Sequence, residues 1–130
     1  MDDLGRYFDE TEGFGVLATA DGDGTVNTAV YARPHDSGDG RLAFIMTDRL
    51  THANVSENPK ASYLFREEGG GYRGKRILLT KVAEEEDAER IDSLRRRRGG
   101  CGSPSAGERL FLVHFRVDGV RPLVGDGAER

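Results

Sequence analysis

The 130-residue chain has one cysteine, no tryptophan, four prolines and only 8% aromatic residues. A lone Cys101, set among glycines and serines, forms no internal disulfide and no metal cluster by itself, and reads as a free thiol in a loop. No apolar run approaches the ~20 residues a membrane-spanning helix needs. The acidic start is unlike a secretion signal, so a cytoplasmic protein is expected. The net charge of −4 gives no overall electrostatic footprint for nucleic acid. His35, His52 and His114 are too scattered for metal-ligand spacing, and no metal site is expected. The glycine-rich stretch 67–74 is not followed by Lys-Ser/Thr at phosphate-loop spacing, which excludes that nucleotide site. No internal repeat is visible.

What is present is a series of short apolar runs separated by turn signals, in a length that suits one domain, 1–130. Residues 2–12 read as a short helix with Leu4, Tyr7 and Phe8 on one face, ended by Gly13. Phe14 to Ala20 and Thr25 to Arg33 read as strands around the turn Asp21-Gly22-Asp23-Gly24. In the second of these, alternation puts Asn27, Ala29, Tyr31 and Arg33 on one face and Val26, Thr28, Val30 and Ala32 on the other. Pro34 to Gly40 reads as a loop. Arg41 to Thr47, Ala61 to Arg66 and Lys75 to Ala83 read as further strands, and Glu84 to Arg98 as an amphipathic helix, acidic first and basic last. Arg95 to Arg98 then form a solvated helix end. Residues 99–107 are a flexible connector, and Leu110 to Val117 and Val120 to Gly125 a closing hairpin around Asp118-Gly119. Six or seven short strands on tight turns, with two or three short helices, predict a mainly β chain folded as a closed antiparallel barrel.

Between the strands that end at Thr47 and begin at Ala61 lies Thr47-Asp48-Arg49-Leu50-Thr51-His52-Ala53-Asn54-Val55-Ser56-Glu57-Asn58-Pro59-Lys60. It reads as a short polar helix closed by Asn58-Pro59, with hydroxyl and cationic groups crowded at its start. A helix N-terminus offers unpaired N–H groups and the positive end of the dipole. With Arg49 and Thr51 beside it, the turn suits the phosphate of a cofactor.

The ordered set Gly15-Val16-Leu17-Ala18-Thr19, Asn27-Thr28, Leu42-Ala43-Phe44-Ile45-Met46-Thr47 and the turn to Pro59 resembles the pyridoxamine 5'-phosphate oxidase-like split β-barrels. It is most similar to their small stand-alone members that bind flavin mononucleotide (FMN). The resemblance spans about residues 4 to 125. It implies a six- to seven-stranded antiparallel split β-barrel with FMN at a homodimer interface, and an oxidoreductase or electron-transfer role. Carried over by position, it makes Thr51 a phosphate ligand and Arg49 its charge partner. Members of the family commonly place the hydroxyl first and the cation two residues later; here the order is reversed, and a guanidinium can grip two phosphate oxygens either way. Asn27 and Thr28 match positions along the ring or the phosphate tail, and Thr47 ends its strand beside the ring. Asn54 either donates to the phosphate or caps the helix.

His52 is expected to face water; as a functional residue it would donate to the phosphate, or ligate iron in a haem-binding relative. His114 is expected to be a satisfied strand histidine. Arg121, with Val120 and Pro122, is expected to reach the partner's flavin. No counterpart appears for the extra basic and aromatic residues that pyridoxamine phosphate oxidases use on their substrate, so that activity is not expected. Haem, deazaflavin, or a non-catalytic flavin-binding or interaction module are the alternative readings.

Overall fold

The computed structural model describes residues 3–98 and 109–125. Cys101 and the connector 99–107 lie outside the described residues. Among the described residues, three helices and seven strands follow in the order α1 (Leu4–Glu10), β1 (Gly13–Ala20), β2 (Val26–Val30), β3 (His35–Gly38), β4 (Arg41–Thr47), α2 (Leu50–Glu57), β5 (Lys60–Glu67), β6 (Gly74–Glu85), α3 (Ala88–Arg97) and β7 (Leu110–Pro122). The strands form one antiparallel sheet in the order β2-β1-β5-β6-β7-β4-β3, the mainly β split barrel that was expected.

The sheet curls so that alternate side chains from distant strands meet. Leu17, Phe44, Met46, Tyr63, Phe65, Ile77, Leu79, Phe111, Val113 and Phe115 share one core, which Leu4 and Phe8 of α1 and Val55 of α2 also enter. Strands β4 and β7 are buried on both faces, because Ala43 and Leu112 pack on their other side under Ile91 and Leu94 of α3. That double burial explains why both read as nearly unbroken apolar runs.

Four sequence expectations are corrected. The closing hairpin does not form: β7 runs straight through Asp118-Gly119 and pairs with β6 along its length. The pairing shifts from Leu78↔Gly119 to Leu79↔Val117, so Asp118 is the extra residue of a β-bulge. Its carboxylate accepts from Thr80 Oγ1 and from Arg116 Nε at 2.8 Å. A turn signal has become a bulge because long-range pairing with β6 outweighs the local preference. Glu84 and Glu85 belong to β6 rather than to the following helix, since both pair with β7; α3 starts after Asp87, whose carboxylate caps Arg90 N at 3.1 Å. Finally, the 34–40 loop contains β3. Arg98 also departs from a solvated helix end. Its guanidinium donates to Asp9 and to the carbonyls of Arg33 and Pro34, at 2.8 to 3.1 Å.

Candidate functional site

Strand β2 is placed by two close fits. In the turn before it, the Asp21 carboxylate accepts from Asp23 N and Thr25 N, while Gly22 N donates to Glu57 Oε1 of α2 at 2.9 Å. After it, the Tyr31 carbonyl accepts from Tyr63 Oη at 3.0 Å. The Tyr63 ring lies under Gly15, where a Cβ would stand only 1.9 Å from the Tyr63 hydroxyl. Gly15 is therefore required by a close approach rather than by a turn.

Helix α2 is held from behind. Asn54 Nδ2 donates to Thr19 Oγ1 at 3.0 Å, with both residues buried. His52 stacks on Phe111 with ring centroids 3.9 Å apart. Its Nε2 is 2.9 Å from Glu84 Oε1 and its Nδ1 3.3 Å from Asp48 Oδ1. Burial alone would raise the Glu84 carboxyl, but hydrogen bonds from Lys81 and His52 outweigh it and hold it below the usual carboxylate range.

With β2 and α2 so fixed, a cavity of about 530 Å³ opens between β2, the end of β4 and the start of α2. Its polar groups are Asn27, Tyr31, Thr47, Arg49 and Thr51; Ala29, Val30, Ala32, Ile45 and Leu50 give apolar walls. This is the size and character of a small-molecule site. No residue lining it is acidic. A second cavity of about 590 Å³ near α1 is lined by Asp3, Asp36 and Asp39 as well as Arg41 and Arg116, and three carboxylates suit a phosphate poorly.

The N-cap of α2 is Arg49, which makes no side-chain cap bond. It cannot: a guanidinium has no acceptor to offer the first-turn N–H groups. A cation here also opposes the helix dipole. The Thr51 hydroxyl, buried beside it, hydrogen-bonds the Tyr31 hydroxyl. Burial raises the Tyr31 phenol above its ordinary value, and the bond from Thr51 offsets part of that rise.

Of the residues singled out in the sequence, Asn27, Thr47, Arg49 and Thr51 come together round this cavity. Thr28 points to the exposed outer face of β2. Asn54 faces β1, and His52 faces Phe111 and two carboxylates instead of water. His114 is a satisfied strand histidine, bonded to Ser37 and Glu85. Tyr31 was missed as a site residue. Its alternation with Asn27 and Ala29 was the available signal, since it follows β2 directly and joins these two in lining the cavity.

No family model and no curated protein matches the sequence. Among solved structures, the chain is similar to an F420 reductase, with a TM-score of 0.73 and 21% identity over 92% of this chain and 98% of that one. An FMN-binding protein from Syntrophomonas wolfei subsp. wolfei gives a TM-score of 0.72 and 21% identity, over 94% and 84% of the two chains. A candidate pyridoxamine 5'-phosphate oxidase from Lactobacillus delbrueckii gives 0.65 and 14%, over 92% of each. The chain thus has the split-barrel fold of the pyridoxamine 5'-phosphate oxidase-like proteins. No helix among the described residues is long and apolar enough to cross a membrane.

Proposed function

We propose that the cavity between β2, β4 and α2 binds FMN and that the protein is a flavin-dependent oxidoreductase or electron carrier. The observation that carries this reading is Arg49 at the N-cap of α2. Its side chain supplies no cap to the first-turn N–H groups and brings positive charge to a positive helix end. A phosphate placed there accepts from the first-turn N–H groups and pairs with the guanidinium, which turns a local conflict into a built anion site. Arg49, Thr51 and the α2 start would hold the phosphate, and Asn27 and Thr47 would orient the ring against Ala29, Val30 and Ile45. The bound flavin supplies the hydride or electron chemistry; the chain's own part is to position it and to exclude water. The fold shared with an FMN-binding protein supports this assignment.

The working unit we infer is a homodimer. Phe14, Val26, Val30, Leu64 and Leu78 are large apolar side chains exposed on the single chain. Their registers put them on one outer face of the β2-β1-β5-β6 sheet. Val30 stands both on that face and on the cavity rim. A second copy covering the apolar face would therefore also narrow the cavity mouth. Arg121 lies in the same row, opposite Arg76, in reach of such a partner's cofactor.

Titrating the purified protein with FMN, followed by absorption and size-exclusion mass, tests this directly. Bound flavin at dimer mass, weakened by Arg49→Ala, is the expected result. A spectrum unchanged by excess FMN overturns it. The same titration with a deazaflavin cofactor decides the second reading, which the similarity to an F420 reductase favours.

A further inference from the structure

Strand β3 is an edge strand that ends in a β-bulge. Its pairing passes from Asp36↔Leu42 to Gly38↔Arg41, and Ser37 is the residue left over. Bulges re-aim a side chain. Here the hydroxyl of Ser37, a half-buried residue, is turned into hydrogen-bond contact with His114 Nδ1. His114 comes from β7, two strands away, and is buried at 8% exposure. Its other ring nitrogen, Nε2, lies 2.6 Å from Glu85 Oε2. Arg90 Nη1, from α3, stands 3.4 Å from the same carboxylate oxygen.

The polarity of this chain of contacts follows from its ends. A carboxylate only accepts, so Nε2 carries a proton. In the neutral ring Nδ1 is then an acceptor, and the Ser37 O–H donates to it. A hydroxyl that donates to an imidazole held by a carboxylate is the arrangement of an activated nucleophile. None of the three residues lines the flavin cavity, so the arrangement is independent of that reading.

We propose that Ser37 is a nucleophile that accepts acyl groups from small activated esters, with His114 as its general base and Glu85 as the carboxylate that orients the imidazole. In the step, Ser37 Oγ bonds to the ester carbonyl carbon as its proton passes to His114 Nδ1. The carbon–oxygen bond to the leaving group then breaks; the leaving group takes the proton back from Nδ1, or departs as a phenolate while that proton passes from Nδ1 to water. An acyl ester on Ser37 remains, which water hydrolyses by the same route. No oxidation or reduction is involved. The imidazolium formed in between has its Nε2–H against Glu85.

The test uses the purified full chain and p-nitrophenyl acetate near neutral pH. Release of p-nitrophenolate is followed by absorbance and the acetyl group is placed by peptide mass mapping. The expected result is one acetyl group on Ser37, absent from Ser37→Ala and from urea-unfolded wild type. His114→Asn should slow its formation by about 100-fold, the usual scale for loss of a general base, and Glu85→Gln should slow it as well. Acetyl groups found only on lysines overturn the proposal. So does acetylation of Ser37 at the same rate in the unfolded chain, a control that holds even where His114→Asn fails to fold. If Ser37→Ala only lowers stability while the wild type takes no acetyl group, the contact is structural and the proposal fails.

Discussion

Replacing Gly15 by alanine should loosen β1, β2 and the cavity together. The added methyl would stand 1.9 Å from the Tyr63 hydroxyl, 2.3 Å from its Cζ and 2.7 Å from its Cε1. Tyr63 has no room to retreat. It is fully buried, with the rings of Phe44, Phe8 and Phe65 centred 5.0, 5.9 and 6.2 Å away. Overpacking of this kind costs about 1–3 kcal/mol. Displacing Tyr63 also breaks its bond to the Tyr31 carbonyl, worth about 1 kcal/mol. The reduced freedom of the unfolded chain returns up to about 1 kcal/mol. The net loss is about 2 kcal/mol, and for a chain of this length Tm should fall by about 8 °C. Tyr31 is both the carbonyl that Tyr63 holds and a wall of the cavity, and its N–H donates to the Gly15 carbonyl at 3.0 Å. FMN affinity should therefore fall with stability. Thermal unfolding by circular dichroism, with a Tyr63→Leu background to make room for the methyl, is the assay. A Tm within about 2 °C of wild type, corresponding to less than ~1 kcal/mol, would refute the reasoning. An equal loss in the Tyr63→Leu background would refute it as well.

Arg49→Ala should weaken FMN binding about 10- to 100-fold in an absorption titration, the value of one or two charge-assisted contacts; unchanged affinity would remove Arg49 from the phosphate site. Asn54→Ala strands the buried Thr19 hydroxyl and should cost about 1–3 kcal/mol in urea unfolding; unchanged stability with lost FMN binding would instead make Asn54 a ligand. His35 carries an acid-side stability loss. Burial, then the charge of Arg98, lowers it from 6.5 to about 4, so between those values the unfolded chain binds the extra proton. Stability is complete above pH 6.5 and falls on acidification towards pH 4, by about 2 kcal/mol after allowance for partial screening. His35→Gln should flatten that part of the curve.

The strands were legible wherever burial leaves a periodic trace. The runs of β1, β4, β5 and the start of β6 follow from apolar residues facing a curled core, and α2 is closed by Asn58-Pro59 as its composition demands. The errors along β6 and β7 share one cause, which is that pairing with a distant strand overrides a local signal. Asp118-Gly119 carries the composition of a hairpin turn, yet β6 continues alongside and makes it a bulge. Glu84 and Glu85 look like the acidic start of a helix because nothing local shows that each will hold a histidine, Glu84 taking His52 and Glu85 taking His114. Those two adjacent carboxylates leave opposite faces of one strand, which only the pairing with β7 reveals. For the same reason the pattern of three separated histidines gave no hint of Ser37, a loop residue by composition, beside His114.

Arg49 is a different kind of departure. Most local choices near α2 agree with the fold: Asn58 and Pro59 stop the helix, Asn54 and His52 lock its back to β1, β6 and β7, and Val55 fills the core. Only the N-cap disagrees, with a side chain that cannot accept and a charge of the wrong sign for the dipole. A residue such as serine or aspartate would stabilise the free helix by about 1 kcal/mol. Where every neighbouring choice is consistent, a single inconsistent one marks the place where stability has been given up for binding. On the reading proposed above, the side chains around it decide what is bound: a half-apolar cavity, no lining carboxylate, hydroxyls among the lining residues, and a side next to the apolar outer sheet. An anionic, flat, partly apolar molecule shared between two copies satisfies all four conditions at once.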